Sequence, residues 1–455
     1  MTTTWVNPTD PLARLPKVSL HDHLDGSLRP ETILELAAAS GAPVPRTAPV
    51  ALQRWLTHFA EEEPGGDWEL LFGLSTSVMQ TPEQLRRVAR EYVETVVADG
   101  VVYAETRWAP EKHLAGGLTM DEAVAAVAEG LEAGMSAARA DGRFIEVRQI
   151  LSIMRTSDRD DEVLAAALRT RDAGVVGVDL AGHEEGHPAH RHAAAFEGAR
   201  AAGLRRTVHA GEADGVASIL DALETCHAER IGHGARLAED LTIDGSSYPV
   251  REVVGAWERA GRDSSRVALG PVSERVRASG TVLELCPTSN CGGVVDVIEQ
   301  HPIDLLAALG IAVSVNIDNR MITASSVTGQ MRILVDVFGW THAQLRAATL
   351  AGARAAFGPA ELLEEDLAEP FFPAVPVAGA APPGRWRPSA ARAGGDRRGR
   401  PGAGRSGRTA SPAGGARLHG ASACGETADR AGGGRAQDAV LDADRHRLHR
   451  RSHRD

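Results

Sequence analysis

Short runs rich in β-branched residues alternate along the first 370 residues with longer segments of helical periodicity, and this alternation constrains the fold most. Eight runs predict strands: 17–24, 101–108, 144–154, 175–182, 205–211, 230–234, 281–287 and 312–318. Most of the helical segments between them end at a glycine, the usual residue after a helix. Eight strand–helix units predict a (β/α)8 TIM barrel, although a doubly wound sheet would give the same alternation.

Polar residues lie at the carboxyl ends of these runs, which favours the barrel over the open sheet. They are His21, His23, Glu105, His209, His233 and Asp318. A barrel gathers the carboxyl ends of all its strands around one mouth, where the active sites of such folds lie. The 455 residues then contain one large barrel rather than two or three domains. The long polar stretch 236–280 predicts a surface loop or an extra helix before the seventh strand.

Charge divides the chain into two unlike parts. The formal net charge is −12, but residues 371–455 contain 16 arginines against 7 acidic residues, which leaves −21 for residues 1–370. The basic part is rich in glycine, alanine and proline and cannot bury enough apolar surface to offset the entropy of ordering. We predict an N-terminal extension over 1–14, a barrel over 15–358 and a disordered or poorly structured tail over 371–455.

The tail has the composition that GC-rich codons give in a shifted reading frame. We therefore interpret it as a non-native extension that carries no chemistry. A basic arm that binds acidic partners is the alternative.

Composition also excludes several classes of protein. The acidic balance and an aromatic content of only 4% argue against nucleic-acid binding, which needs clustered cations or stacking surfaces. No stretch of 18 apolar residues occurs, so a membrane span is excluded, and the first residues lack the pattern of a secretory signal. Four scattered cysteines do not form a disulfide framework. We predict a cytoplasmic protein, and the sequence leaves its oligomeric state open.

His21 and His23 form a histidine pair on the first predicted strand. Residues two apart on a strand share a face, so both imidazoles would point into the same space, as ligands of Zn²⁺ do. The pair alone is a weak signal, since residues 190–192 repeat the H-x-H pattern. Together with His209 and Asp318 at two further strand ends, it forms a zinc ligand set that leaves room for water. Histidines that are merely packed or solvated are the alternative.

Other motifs do not fit the chemistry with which they are usually associated. Residues 183–187 read HEEGH, the pattern of zinc peptidases, which requires a helix so that both histidines share a face. Gly186 and Pro188 predict a loop here instead. Cys286 and Cys291 are spaced C-x4-C and do not match the P-C-x-x-C of one class of zinc deaminases. Neither a G-x-x-x-x-G-K-[ST] phosphate loop nor the G-x-S-x-G elbow of serine hydrolases occurs.

Seven motifs follow one another in an order that is specific as a combination: LPKVSLHDHLDGSLRPETILELA, VVYAETRWAP, VVGVDLAG, RRTVHAGE, RIGHGARL, LELCPTSN and VSVNIDN. In this order they resemble the adenosine deaminase family of zinc amidohydrolases, and in particular its actinobacterial members. The resemblance runs from about Leu15 to about Phe357. It implies a (β/α)8 barrel with one Zn²⁺ per subunit that converts adenosine or 2′-deoxyadenosine to inosine or 2′-deoxyinosine and ammonia.

The resemblance also implies roles for individual residues. The implied metal ligands are His21, His23, His209 and Asp318. Glu212 is implied as the proton donor to purine N1, and His233 as the residue that orients or deprotonates the water activated by zinc for attack at C6. Asp318 is implied as a second group that orients this water. The implied substrate contacts are His23, Asp25, Gly182 and Asn319.

The chain departs from the family at two positions of the implied site. Many members have an aspartate bonded to purine N7 where this chain has Asn319. An amide donates to N7 without being protonated, but the exact substrate is left open, and free adenine or a modified adenine nucleoside is the alternative. The family's Gly-Asp pair after the fourth strand is Gly182-His183 here. A nucleoside-binding relative without catalysis is the remaining alternative.

Overall fold

Eight parallel strands form a barrel in the part of the chain that the computed structural model describes, residues 5–7, 9–59 and 68–358. The strands of this part are, in chain order, β1 Lys17–His23, β2 Val101–Trp108, β3 Glu146–Met154, β4 Val175–Ala181, β5 Arg205–Ala210, β6 Arg230–His233, β7 Leu241–Ile243, β8 Ser246–Ser247, β9 Val267–Leu269, β10 Val282–Leu285 and β11 Val313–Val315. The barrel order is β1-β2-β3-β4-β5-β6-β10-β11. Each of the eight predicted runs contains one barrel strand, so the predicted fold class is confirmed.

Backbone hydrogen bonds close the barrel between its last strand and its first. The N–H of His23 donates to the carbonyl of Asp318 at 2.9 Å, and the N–H of Asp318 donates to the carbonyl of His21 at 3.0 Å. The end of β1 and the residues after β11 are thereby joined at the carboxyl end of the barrel. The predicted tail 371–455 lies outside the described residues.

Helices cover the outside of the barrel. In chain order those described are α1 Pro30–Ser40, α2 Pro49–Thr57, α3 Trp68–Ser77, α4 Pro82–Ala98, α5 Met120–Ala140, α6 Asp160–Arg169, α7 Ala193–Ala201, α8 Val216–Thr225, α9 Val250–Arg259, α10 Pro271–Ser279, α11 Ile303–Ala308, α12 Arg320–Thr323, α13 Val327–Asp336 and α14 His342–Ala355. Capping boxes begin two of the longest, with Thr81 and Gln84 at α4 and Thr119 and Glu122 at α5. Among the described residues, no helix has the length and apolar character required to cross a membrane.

The segment between β6 and β10 has more structure than the sequence predicts. Instead of a surface loop or one extra helix, it forms the antiparallel sheet β8-β7-β9 and two helices, α9 and α10. Leu241 and Ile243 of β7 are buried and pair with residues of β9. These strands have only two or three residues each and lie in a polar stretch rather than in a longer β-branched run such as the one around β11, so the sequence did not reveal them.

Charged side chains pair inside the barrel below its mouth. Glu284 on β10 accepts hydrogen bonds from Arg107 at 2.7 Å and from Arg230 at 2.6 Å, and Arg230 also donates to Glu105 at 2.6 Å. All four residues are buried. Buried charges are tolerated only when they are paired and hydrogen-bonded, as they are here. Because Glu284 also contacts His21, this network supports the mouth of the barrel.

Candidate active site

Three strand ends bring the four predicted metal ligands together. His21 and His23 lie at the end of β1, His209 lies near the end of β5, and Asp318 follows β11. One nitrogen from each histidine and one oxygen from Asp318 all lie within 4.8 Å of one another. His23 Nε2 is 3.2 Å from His209 Nε2 and 3.3 Å from Asp318 Oδ1. The predicted set therefore converges on one point in the barrel mouth.

Buried carboxylates fix the rings of two of these histidines. His21 Nδ1 is 3.0 Å from Glu284 Oε2, and His209 Nδ1 is 3.1 Å from Asp179 Oδ1. Because an ionised carboxylate only accepts, each Nδ1 carries the proton and each Nε2 keeps its lone pair. His21 Nε2 is buried and has no hydrogen-bond partner among the described residues. A buried, unpaired nitrogen directed at three other donor atoms fits a metal ion.

The donor atoms of His21, His23 and Asp318 are unprotonated at neutral pH. Burial lowers the pKa of His21 to about 3 and the pKa of His23 to about 4. Burial alone would raise the pKa of Asp318, but the adjacent His21 and the other histidines around its carboxylate hold it well below its usual range. Three imidazoles and one carboxylate are a ligand set that Zn²⁺ binds, so the residues present fit this ion.

Asp318 and His233 have backbone conformations that residues other than glycine rarely adopt, with φ of +74° and +59°. Such conformations persist only where the surrounding structure holds them, and they are common at functional sites. Asp318 is held by its backbone hydrogen bond to His21 and by Ser289 Oγ, which donates to Asp318 Oδ2 at 2.6 Å. The other carboxylate oxygen is thereby left to face His21 and His23.

Glu212 and His233 face each other beside the ligand set, as a second group that includes Asp318. Glu212 Oε2 lies 3.4 Å from His233 Nε2, and the Glu212 side chain is 36% exposed whereas that of His233 is 1% exposed. Desolvation in the mouth and the negative charge of Asp318 raise the pKa of Glu212 to about 8. Burial lowers the pKa of His233. At neutral pH, Glu212 therefore holds a proton and His233 is uncharged.

The residues predicted to contact substrate lie at the same end of the barrel. Asp25 follows β1, with Oδ1 3.9 Å from His23 Nδ1, and this oxygen is buried without a hydrogen-bond partner in the described part of the chain. Asn319 Oδ1 is also buried without such a partner and lies against Gly26, where a Cβ would come within 1.9 Å of it. Gly182 follows β4 with φ of +95°, which glycine adopts readily.

The HEEGH segment is a loop, as its glycine and proline predict, and not the helix that a zinc peptidase requires. Its two histidines are absent from the candidate metal groups found among the described residues. Cys286 and Cys291 are free thiols outside those groups as well.

Sequence reasoning missed the residues that hold the ligands in place. Glu284 lies within the apolar run TVLELCP and Asp179 within VVGVDLAG, and a charged residue inside a buried strand must find a partner. The sequence therefore indicates that Glu284 and Asp179 have polar partners, but it does not show which residues these partners are. Asn290 is the last residue of the motif LELCPTSN, and its side-chain nitrogen lies 3.1 Å from His233 Nδ1. The motif alone did not indicate this contact.

Comparisons with proteins of known sequence identify a family that this chain matches. The family model described as adenosine deaminase matches residues 16–368. Adenosine deaminases from Mycobacterium leprae and Mycolicibacterium vanbaalenii are each 41% identical to this chain, over 76% of its length and 92% of theirs.

Solved structures share the barrel. An adenine deaminase from Arthrobacter aurescens is 25% identical, with a TM-score of 0.61 over 78% of this chain and 98% of that one. An amidohydrolase from Burkholderia ambifaria with bound zinc is 26% identical, with a TM-score of 0.59 over 78% of this chain and 93% of that one. The match over most of the chain, at 41% identity to named relatives, confirms the predicted resemblance: this chain belongs to the adenosine deaminase family.

Proposed function

We propose that this protein hydrolyses adenosine and 2′-deoxyadenosine to inosine and 2′-deoxyinosine, with release of ammonia. The observation that carries the proposal is the convergence of three histidines and Asp318 on one point, with Glu212 and His233 beside it. The relatives that are 41% identical bear the name adenosine deaminase. The reaction exchanges the bond from C6 to the amino nitrogen for a bond to oxygen, so it needs a nucleophilic water and a proton for the ring.

His21, His23, His209 and Asp318 hold one Zn²⁺ per subunit in this proposal. When bound, the ion lowers the pKa of a coordinated water toward neutrality and so supplies the nucleophile. Glu284 and Asp179 orient the imidazoles of His21 and His209, because each accepts a hydrogen bond from Nδ1 and so directs Nε2 toward the ligand set. The presence of zinc in the B. ambifaria amidohydrolase supports the choice of ion.

Glu212 donates a proton to N1 of the purine. Protonation at N1 draws electron density from C6 and makes this carbon susceptible to attack. The carboxyl must hold a proton when the substrate arrives, and its raised pKa of about 8 meets this requirement at neutral pH. His233 and Asp318 orient the attacking water, since both face the space beside Glu212.

His23, Asp25, Gly182 and Asn319 contact the nucleoside. The buried, unpaired Asp25 Oδ1 offers an acceptor for a hydroxyl group of the ribose. Asn319 donates its amide N–H to purine N7, a nitrogen that presents only a lone pair. The proposed location is the cytoplasm, the reducing compartment in which free thiols such as Cys226 and Cys286 persist.

The test is turnover of adenosine by the purified, zinc-loaded protein. We expect the adenosine absorbance to fall as inosine forms, with one ammonia released per nucleoside. His209→Ala should abolish both zinc binding and turnover, whereas His190→Ala, at an exposed histidine outside the ligand set, should change neither. Absence of turnover in the wild type, or full turnover in His209→Ala, would contradict the proposal.

A second candidate keeps the chemistry but changes the substrate to free adenine or a modified adenine nucleoside. Asn319 in place of the family's aspartate is the observation that favours it, and the structural relative from A. aurescens is an adenine deaminase. Comparing kcat/KM on adenosine, 2′-deoxyadenosine, adenine and N6-substituted adenosines decides between the two. Binding of nucleoside without ammonia release would instead indicate a non-catalytic relative.

A further inference from the structure

Glu184 belongs to the HEEGH motif, which the proposed reaction leaves without a role. Its side chain is buried, although the residues on both sides of it are exposed. The carboxylate is directed at residues 211–214, the loop that follows β5 and contains Glu212.

Four consecutive backbone N–H groups donate to this one carboxylate. Gly211 donates to Oε1 at 2.7 Å, and Oε2 accepts from Glu212 at 3.1 Å, Ala213 at 2.8 Å and Asp214 at 3.0 Å. Successive N–H groups that point to one side form a concavity that binds an anion. Here the anion is the carboxylate of Glu184 itself.

Ser218 in the first turn of α8 donates to Glu184 Oε1 at 2.6 Å, so the same carboxylate ties the loop to the start of the helix. With five donors around two oxygens, no lone pair is left to bind a metal or to take a proton from a substrate. Glu184 therefore cannot act as the catalytic glutamate of a zinc peptidase. Its carboxylate instead binds the loop 211–214.

The loop depends on this anion because its own conformation is unusual. Gly211 has φ of +72°, and a Cβ there would lie 2.5 Å from Ile219 Cδ1, so the chain turns sharply at a residue that must be glycine. Backbone N–H groups that lack an acceptor are costly, and Glu184 supplies the acceptor for those of residues 211–214.

Glu184 is itself held in place from β3. Arg155, which follows this strand and is buried, donates to the carbonyl of His209 at 2.6 Å and to the carbonyl of His187. The loop that carries Glu184 is thus tied to the end of the strand that carries a metal ligand. The positions of Glu184 and of the loop 211–214 are fixed relative to the same strand end.

We propose that Glu184 is the positioning residue for Glu212: its carboxylate holds the loop 211–214 so that the Glu212 carboxyl stands beside His233. The Glu212 N–H is bound by Glu184 while its side chain reaches to 3.4 Å from His233 Nε2. This inference rests on the proposed role of Glu212 as the proton donor. It assigns no contact between Glu184 and substrate.

The test is a double-mutant cycle on kcat with adenosine. Glu212→Gln removes the proton donor and should lower kcat by about 100-fold or more. Glu184→Gln replaces one acceptor oxygen by a donor, so at least one loop N–H group loses its acceptor, and kcat should fall by about 30- to 100-fold through displacement of Glu212. In the Glu212→Gln background, Glu184→Gln should lower kcat by less than about threefold, because the group that it positions is gone.

Two further measurements separate positioning from a general loss of structure. Zinc content should stay at one ion per chain in Glu184→Gln, and hydrogen–deuterium exchange should rise in the peptide that contains 211–214. Glu185→Gln, the same change at the adjacent exposed residue, should leave kcat, zinc content and exchange unchanged. If Glu184→Gln does not fold, Glu184→Asp keeps the charge but shortens the side chain, and it should show the same dependence on Glu212.

The outcomes distinguish the proposed role of Glu212 from the positioning role of Glu184. Full kcat in Glu212→Gln would overturn the proposed role of Glu212. A normal loss in Glu212→Gln, combined with unchanged kcat in Glu184→Gln or with equal effects of Glu184→Gln in both backgrounds, would overturn the positioning role alone.

Discussion

Asn290 is hydrogen-bonded to His233, with 3.1 Å between its side-chain nitrogen and ring Nδ1. On the other side, His301 Nε2 lies 3.0 Å from Asn290 Oδ1, and His301 Nδ1 accepts from the backbone N–H of Ile303 at 3.3 Å. Because a backbone amide only donates, His301 carries its proton on Nε2, and Asn290 must present its oxygen there. The Asn290 nitrogen then donates to His233 Nδ1, which places the His233 proton on Nε2, facing Glu212.

Replacing Asn290 by aspartate should move the proton of His233 from Nε2 to Nδ1. Both carboxylate oxygens accept, so His233 would carry its proton on Nδ1 and present a lone pair at Nε2. We expect kcat on adenosine to fall by about tenfold or more, because the group that faces Glu212 and the water changes from donor to acceptor. The ¹⁵N chemical shifts of labelled histidines report the tautomer directly. Asn7→Asp, the same change at an exposed residue, is the control, and an unchanged His233 tautomer in Asn290→Asp would refute the hydrogen-bond chain.

Asp179 is expected to control metal affinity through His209. It is buried, accepts from His209 Nδ1 at 3.1 Å and lies outside the set of donor atoms itself. Loss of such a partner typically weakens metal binding by about 10- to 100-fold, so Asp179→Asn should lower zinc affinity by that factor. Competition with a chromophoric chelator measures it. The control is Asp172→Asn, an exposed aspartate shortly before the same strand, and equal zinc affinity in the two variants would argue against the role of Asp179.

The strands and the metal ligands could be predicted because their signals are local. Each barrel strand lies in a predicted run of five to eleven residues, and each ligand stands at or near the end of such a run. Once a barrel is assumed, its geometry brings residues as distant as His21 and Asp318 together without further information. The short strands β7 to β9 gave no comparable pattern.

The support of the ligands could not be predicted, because it depends on which strands become neighbours across the barrel. Glu284 contacts His21 and Arg107, and these contacts join residues that are 263 and 177 positions apart. A single acidic residue in an apolar run indicates that some partner exists, but many basic residues could supply it. The same applies to Glu184, whose motif suggested metal chemistry while its carboxylate binds backbone N–H groups.

Glu284→Gln should destabilise the fold as well as the site. The change leaves Arg107 and Arg230 buried beside a neutral group, and breaking a buried ionic pair costs about 3–5 kcal/mol in the free energy of unfolding. Denaturant unfolding at pH 7 measures this loss. Asp121→Asn, in the exposed pair with Arg169, should cost far less, because water screens an exposed ion pair.

The wild type and Glu284→Gln should also differ in how their free energies of unfolding depend on pH. Burial alone would raise the pKa of Glu284, but Arg107 and Arg230 hold it well below its ordinary value of 4.5. Its ionised form therefore stabilises the folded state above that value, and this contribution is lost as the pH falls and the unfolded chain takes up the proton. The difference in unfolding free energy between wild type and Glu284→Gln should shrink as the pH falls below about 4.5. A difference that grows with acidification would contradict this assignment.

Asn319 is expected to recognise purine N7 by its amide nitrogen, because its oxygen lies against Gly26 and the two atoms of an amide diverge. In 7-deazaadenosine a C–H group replaces N7, so the wild type would lose one hydrogen bond and leave a buried donor unpaired. This should lower kcat/KM by about tenfold or more relative to adenosine. Asn319→Ala should process both nucleosides with similar, reduced kcat/KM, since neither can then form the bond. If the alanine variant still prefers adenosine by the wild-type factor, N7 is recognised by another group and Asn319 does not set the substrate preference.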